Sequence, residues 1–172
     1  LLSRAIFSNL GIETNLQINS IGDKVARTAY GKALQAFLKS EKSELTDEQK
    51  LTLQKNPLRL LDSKEQNIKD MLIEAPQIID FLDDASKQHF MQVLEYLDGA
   101  EVPYTLNPKL VRGLDYYNRT VFEFWAAGDE TGAISLGGGG RYDTLVEHLG
   151  GRPTPAAGFA AGIERIINLM RE

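Results

Sequence analysis

The chain has 172 residues, 42% of them hydrophobic and 25% charged, which is room for one ordinary domain or two small ones. Its net charge of −5 excludes a uniformly basic nucleic-acid coat, and the absence of cysteine excludes disulfide frameworks and thiolate metal sites. His89 and His148 lie far apart and outside any HExxH pattern, so no zinc site is read, and no apolar run reaches the roughly 18 residues of a membrane span.

The first residues, Leu1 to Ala5, hold neither a full signal-peptide core nor a methionine, so we read a cytoplasmic fragment of something longer. Leu2, Ile6 and Leu10 share one helical face, and Gly11 is placed to end that helix. Leu16-Gln17-Ile18-Asn19 alternates as a half-buried strand should. Gly22-Asp23 offers a turn and an N-cap for a long amphipathic helix, with Ala26, Ala29, Tyr30, Ala33, Phe37 and Leu38 at helical spacing. Capping-box patterns follow at Thr46–Gln49 and Ser63–Gln66, and the first of these helices must stop before Asn56-Pro57. Asp84 can cap another helix, carrying Phe90, Val93, Leu94 and Leu97, which Gly99 terminates. Residues 39–98 hold the whole acidic excess, and no glycine lies between Gly31 and Gly99. Residues 23–99 therefore read as an acidic, all-helical module.

Beyond Gly99 the period changes to two. Val102 to Leu106 reads as a strand, and Val121–Trp125 with Ala133–Leu136 as a hairpin turning through Gly128–Gly132. Asp143 to Leu149 reads as helical. Ala156–Ala161 looks like a buried strand running into a helix with Ile163, Ile166, Ile167 and Met170 apolar. Antiparallel strands from 1–22 and 100–172, interrupted by a helical insertion at 23–99, define an α+β fold.

Familiar signatures fail one by one. Gly137–Gly140 is followed by no Gly-Lys-Ser/Thr, so it is not a Walker loop, and Tyr142 and Asp143 stand where a dinucleotide motif needs its third glycine. No Gly-x-Ser-x-Gly elbow exists. Asn118-Arg119-Thr120 fits a glycosylation sequon, which a chain without cysteine or signal peptide has little use for.

Three clusters remain, each with a bland reading beside a functional one. Leu110 to Arg119 is either a polar turn or a pocket in which arginine binds an anion and tyrosine reads a small polar ligand. The glycines of Gly137-Gly138-Gly139-Gly140-Arg141-Tyr142-Asp143 make either a tight turn or a backbone that something approaches closely. Gly158 to Arg165 is either close helix-on-strand packing or a flat-ligand surface with Arg165 stacking on a ring or binding phosphate.

Taken in this order, the three clusters resemble the histidyl-tRNA synthetases, a family of class II aminoacyl-tRNA synthetases. Leu110–Tyr117, with its Arg-Gly-Leu-Asp-Tyr-Tyr, looks like the family's first histidine-specific motif. Gly139-Gly140-Arg141-Tyr142-Asp143 looks like the second, and Gly158–Arg165 like class II motif 3. The helical middle, with Asn56-Pro57-Leu58-Arg59, resembles the insertion domain of bacterial members, which suggests a place near the tRNA acceptor arm.

The resemblance implies a two-step ligase that joins histidine to ATP's α-phosphate and then passes histidine to the 3′ end of tRNA(His). By the family's pattern Arg112 is catalytic, holding charge at the α-phosphate, and it touches both histidine and ATP. Tyr116, Tyr117 and Tyr142 line the histidine pocket over a floor that includes Gly139 and Gly140. Gly162 and Arg165 hold ATP. Asp115 and Glu164 orient their neighbours, and Arg141 is either part of the site or structural. Mg2+ is expected to accompany ATP without a protein metal site, and the intact parent is expected to be a homodimer. Motifs 1 and 2 and the anticodon-binding domain have no match here, so the fragment alone is expected to be inactive. The alternatives are a synthetase-like regulatory subunit of histidine biosynthesis that ligates nothing, and a folding or interaction module only.

Overall fold

The structure is a computed structural model and describes residues 1–40, 45–113, 115–128 and 135–171. Leu114, the tip of the expected hairpin from Asp129 to Gly132, and the start of its second strand at Ala133 and Ile134 lie outside the described residues. The described residues build an α+β fold on one five-stranded sheet of order β2-β1-β3-β4-β5. Its strands are β1 (Thr14–Ser20), β2 (Thr105–Leu106), β3 (Asn118–Ala126), β4 (Ser135–Arg141) and β5 (Ala157–Ala161). The β1–β2 pair is parallel and the other neighbours are antiparallel. No helix among the described residues is long and apolar enough to cross a membrane.

Local chemistry explains most boundaries. Gly11 adopts φ +71 just beyond helix α1 (Leu2–Asn9). Gly22 adopts φ +61, and Asp23 Oδ1 accepts from the Ala26 amide at 2.8 Å to open α2 (Lys24–Ser40). The capping box at Thr46 and Gln49 forms and opens α3 (Asp47–Lys55), which stops before Asn56-Pro57. The second expected box does not form. Ser63 Oγ accepts from the Glu65 amide at 3.3 Å and Gln66 Nε2 donates to Asp70 Oδ1 at 2.7 Å instead, and α4 (Gln66–Met71) starts without a side-chain cap. For α5 (Asp84–Gly99) the cap is Asp83, one residue earlier than expected, because its carboxylate reaches the Ser86 amide at 3.0 Å.

Three other expectations change. The strand over Val102–Leu106 shrinks to β2, since the Val102 amide closes back on the Leu97 carbonyl at 2.9 Å. The helix expected over Asp143–Leu149 is a single turn, α6 (Leu145–His148), because the Asp143 carboxylate is engaged elsewhere. Ala157–Ala161 is only half covered, being the last strand of the sheet.

Period-two alternation splits the sheet into two faces. On one, Phe7, Leu16, Phe124, Leu136 and Ile166 form a core under α1 and α7 (Ile163–Leu169). Phe7 is fully buried, 5.3 Å from the Phe124 ring, while Leu2 is 69% exposed. One aromatic outweighs the aliphatic edge on so short a helix, so the expected Leu2–Ile6–Leu10 face turns outward. Ile163, Ile167 and Met170 are likewise exposed, leaving Ile166 as the anchor of α7. On the other face the helices contribute Tyr30, Leu34, Leu38, Leu53, Ile68 and Ile78 to a core that continues into Leu110, Val111, Tyr117 and Val121. Helices and sheet share that core.

Candidate active site

The Leu110–Tyr117 loop is held at both ends. Leu110 and Val111 are buried, Asn19 Nδ2 donates to the Leu110 carbonyl at 3.0 Å, and Arg27 donates to the Tyr117 carbonyl. Between these anchors Arg112 reaches across to β3, where its Nη1 is ion-paired and hydrogen-bonded to Glu123 Oε1. Its guanidinium carbon lies 5.8 Å from the centre of the Tyr117 ring. Arg112 Nε is buried with no hydrogen-bond partner among the described residues.

Glu123 escaped the sequence reading. The available signal was a lone carboxylate inside Val121-Phe122-Glu123-Phe124-Trp125, where alternation alone explains an outward polar residue. Burial pushes the Glu123 carboxyl above its usual range, against the pull of the Arg112 guanidinium.

The glycines of β4 divide by face. A Cβ on Gly138 would stand 2.7 Å from Arg112 Nη1 and 2.8 Å from Glu123 Cγ. One on Gly140 would stand 2.9 Å from Tyr117 Cδ1, and one on Gly158 would strike the Tyr142 hydroxyl. These three glycines open the face that carries the arginine and the tyrosines. Gly139 opens toward the β5 backbone, where a Cβ would lie 2.7 Å from Phe159 Cα. Over this floor Tyr116 and Tyr117 pack at 4.6 Å, with Tyr142 edge-on at 5.6 and 6.0 Å from them. Tyr117 is buried, and burial pushes its phenol up, while Tyr116 and Tyr142 are half-buried.

Arg141 and Asp143 lock the far end of this strand. Arg141 Nε donates to Asp143 Oδ2 at 2.6 Å, and Arg141 Nη1 lies 3.4 Å from His89 Nε2 on α5. Asp143 also accepts from the Ala156 amide at 3.1 Å and from Asn118 Nδ2 at 3.4 Å. Burial raises the Asp143 carboxyl, but these donors together outweigh burial and hold it below its ordinary 3.8. Its stabilisation is therefore present above that ordinary value and lost as pH falls through the lower folded value. Asp143→Asn is expected to cost about 1–3 kcal/mol at neutral pH and to flatten the acid limb. Urea unfolding measured as a function of pH checks both.

Arg165, in the first turn of α7, donates to the Ser135 carbonyl at 2.6 Å, and its side chain packs over Gly162. Asp115 and Glu164 are exposed, with Asp115 close enough to Arg27 to favour its charge. A cavity of about 920 Å³ opens beside Arg112 and Tyr117, walled by α2 and the Pro57–Asp62 turn. The structure thus brings the three sequence clusters onto one strand. Along β4 come Arg165 at Ser135, Arg112 at Gly138, and Tyr117 at Gly140 with Tyr142 just beyond.

Solved aminoacyl-tRNA synthetases have this fold. The crystal structure of apo S. aureus histidyl-tRNA synthetase superposes with a TM-score of 0.72 at 35% identity, covering 99% of this chain and 42% of that one. An ATP phosphoribosyltransferase regulatory subunit/histidyl-tRNA synthetase from Bacillus halodurans C shares the fold at 20% identity and a TM-score of 0.60, over 98% of this chain and 48% of that one. The family model described as histidyl-tRNA synthetase matches residues 2–166, and the chain belongs to that family. A histidine–tRNA ligase from Hydrogenovibrio crunogenus is 47% identical over 172 residues, 99% of this chain and 40% of the relative. The chain thus spans about 40% of the length of that curated relative.

Proposed function

We propose that this chain is the histidine-motif and motif 3 portion of a histidine–tRNA ligase acting in the cytoplasm. The observation that carries the reading is the order along β4: arginine, arginine, tyrosine cluster. Ser135 to Gly140 spans roughly 17 Å of strand. That is room to lay adenine at Arg165 and Gly162, the α-phosphate at Arg112, and histidine among Tyr116, Tyr117 and Tyr142, end to end on the face opened by Gly138 and Gly140.

In the first step a carboxylate oxygen of histidine attacks the α-phosphorus of ATP, and the bond to pyrophosphate breaks. Negative charge gathers on the phosphorus oxygens, where a guanidinium already fixed in place stabilises it without reorganising. A terminal ribose hydroxyl of tRNA(His) then attacks the acyl carbon and releases AMP. The helical stretch 23–99 lies near the acceptor arm in this reading, with Lys24, Lys32, Lys55 and Arg59 on the cavity wall as local phosphate contacts. Glu123, the carboxylate beside Arg112, is committed to that guanidinium, so Mg2+ is assigned to ATP itself and no step runs through it.

The test is histidine-dependent exchange of pyrophosphate into ATP by the full-length protein. Exchange is expected with histidine and not with other amino acids, and it is expected to be absent for residues 1–172 alone. A full-length protein that binds histidine but exchanges nothing would instead be the regulatory type.

A further inference from the structure

We infer that Glu123 and Gly138 together form a seat that positions Arg112 for adenylation, an inference resting on the ligase reading above. Arg112 stands on a loop, and a loop arginine has several rotatable bonds with which to leave a productive pose. Three features remove that freedom. The Glu123 carboxylate holds Nη1 through a charge-assisted hydrogen bond. Gly138, directly opposite Glu123 in the β3–β4 register, leaves bare backbone where a Cβ would crowd both Nη1 and the Glu123 side chain. Tyr117 lies at 5.8 Å on another side.

The pairing also explains two residues that the proposed site leaves idle. Glu123 is a half-buried carboxylate on a strand whose neighbours Val121 and Phe124 are fully buried, a costly place for a charge without a partner. Gly138 has no need of close approach by β5, since its nearest contacts are Arg112, Phe122 and Glu123. Glu123 touches no substrate in this scheme; it acts only through Arg112.

The experiment is a double-mutant cycle in the full-length protein, read as single-turnover formation of histidyl-adenylate. Glu123→Gln keeps the shape and an acceptor oxygen but removes the charge, and it is expected to slow adenylation by roughly 10²-fold, the cost of a displacement near 1 Å. KM for histidine and ATP should change much less. Combined with Arg112→Ala, Glu123→Gln should add little further loss, because its whole effect passes through the arginine. Additive losses, or a near-wild-type rate for folded Glu123→Gln, overturn the inference. Should Glu123→Gln fail to fold, Gly138→Ala, which presses on Nη1 from the strand side, must show the same non-additivity with Arg112→Ala. If Arg112→Ala itself leaves the rate unchanged, the ligase reading and this inference fall together; if only the Glu123 and Gly138 variants are silent, the ligase reading stands without the seat.

Discussion

Arg112→Ala is expected to slow histidyl-adenylate formation by roughly 10²–10³-fold, about 3–4 kcal/mol, in the full-length protein. The affinities for histidine and ATP should move far less, because the interaction strengthens as charge develops on the α-phosphate. Lysine should rescue poorly. Its ammonium is a point charge, whereas the proposed role asks Arg112 to hold Glu123 and a phosphate oxygen with separate N–H groups of one planar fork. Loss of the guanidinium leaves Glu123 half-buried without its cation, and its carboxyl, already raised by burial, takes up a proton more readily. The variant is therefore expected to fold. A surface arginine in a turn predicts the reverse, with stability moved by a few tenths of a kcal/mol and the rate untouched. Pre-steady-state kinetics on the folded variant separates the two outcomes.

Tyr30→Ala should have the largest effect on stability, roughly 3–5 kcal/mol. Tyr30 is 1% exposed, its ring sits 5.6 Å from that of Phe81, and it belongs to the core that runs into Val111, Tyr117 and Val121. A cavity there loosens α2 from the loop that carries Arg112, so adenylation should fall with the fold. Burial also pushes the Tyr30 phenol up to about 12. A raised phenol contributes stability that is complete below its ordinary 10 and is lost as pH rises through 12. Wild type should lose stability steeply over that interval, and the variant should lose that part of the slope. Denaturant melts across the alkaline range measure it.

Much of this molecule was legible in its residues, and the physical reasons differ by element. Strands β1 and β3, α2 and the Thr46 box were readable because alternation, helical spacing and a local cap are short-range facts. The Ser63–Gln66 box was not, since the Gln66 side chain has a competing partner in Asp70 one turn on and the Ser63 hydroxyl takes the Glu65 amide. The outward turn of Leu2 was equally hidden, because choosing between two apolar edges needs the Phe124 ring that Phe7 meets. In the site, Arg112, the tyrosines and the glycine strand stood out as clusters. Glu123 did not, because its partner lies eleven residues upstream and only the β3–β4 register brings Gly138 opposite it. Nor could the spacing show that Gly138 and Gly140 serve one face while Gly139 serves the other; the irregular register between Phe124 and Trp125 sets that phase.

A strand of four successive glycines has no side chains of its own with which to recognise its place. A slip by one residue would exchange one glycine for another and, within the run itself, change almost nothing in contact energy. The alignment must therefore be pegged from outside. Leu136, fully buried beneath the sheet, is one peg, and the Arg141–Asp143 pair is the other. Between these pegs the bare backbone can accommodate a guanidinium and a phenol, but only while both ends stay anchored. Leu136 and Asp143, neither of them assigned to a ligand, thus determine where along the strand the chemistry is centred.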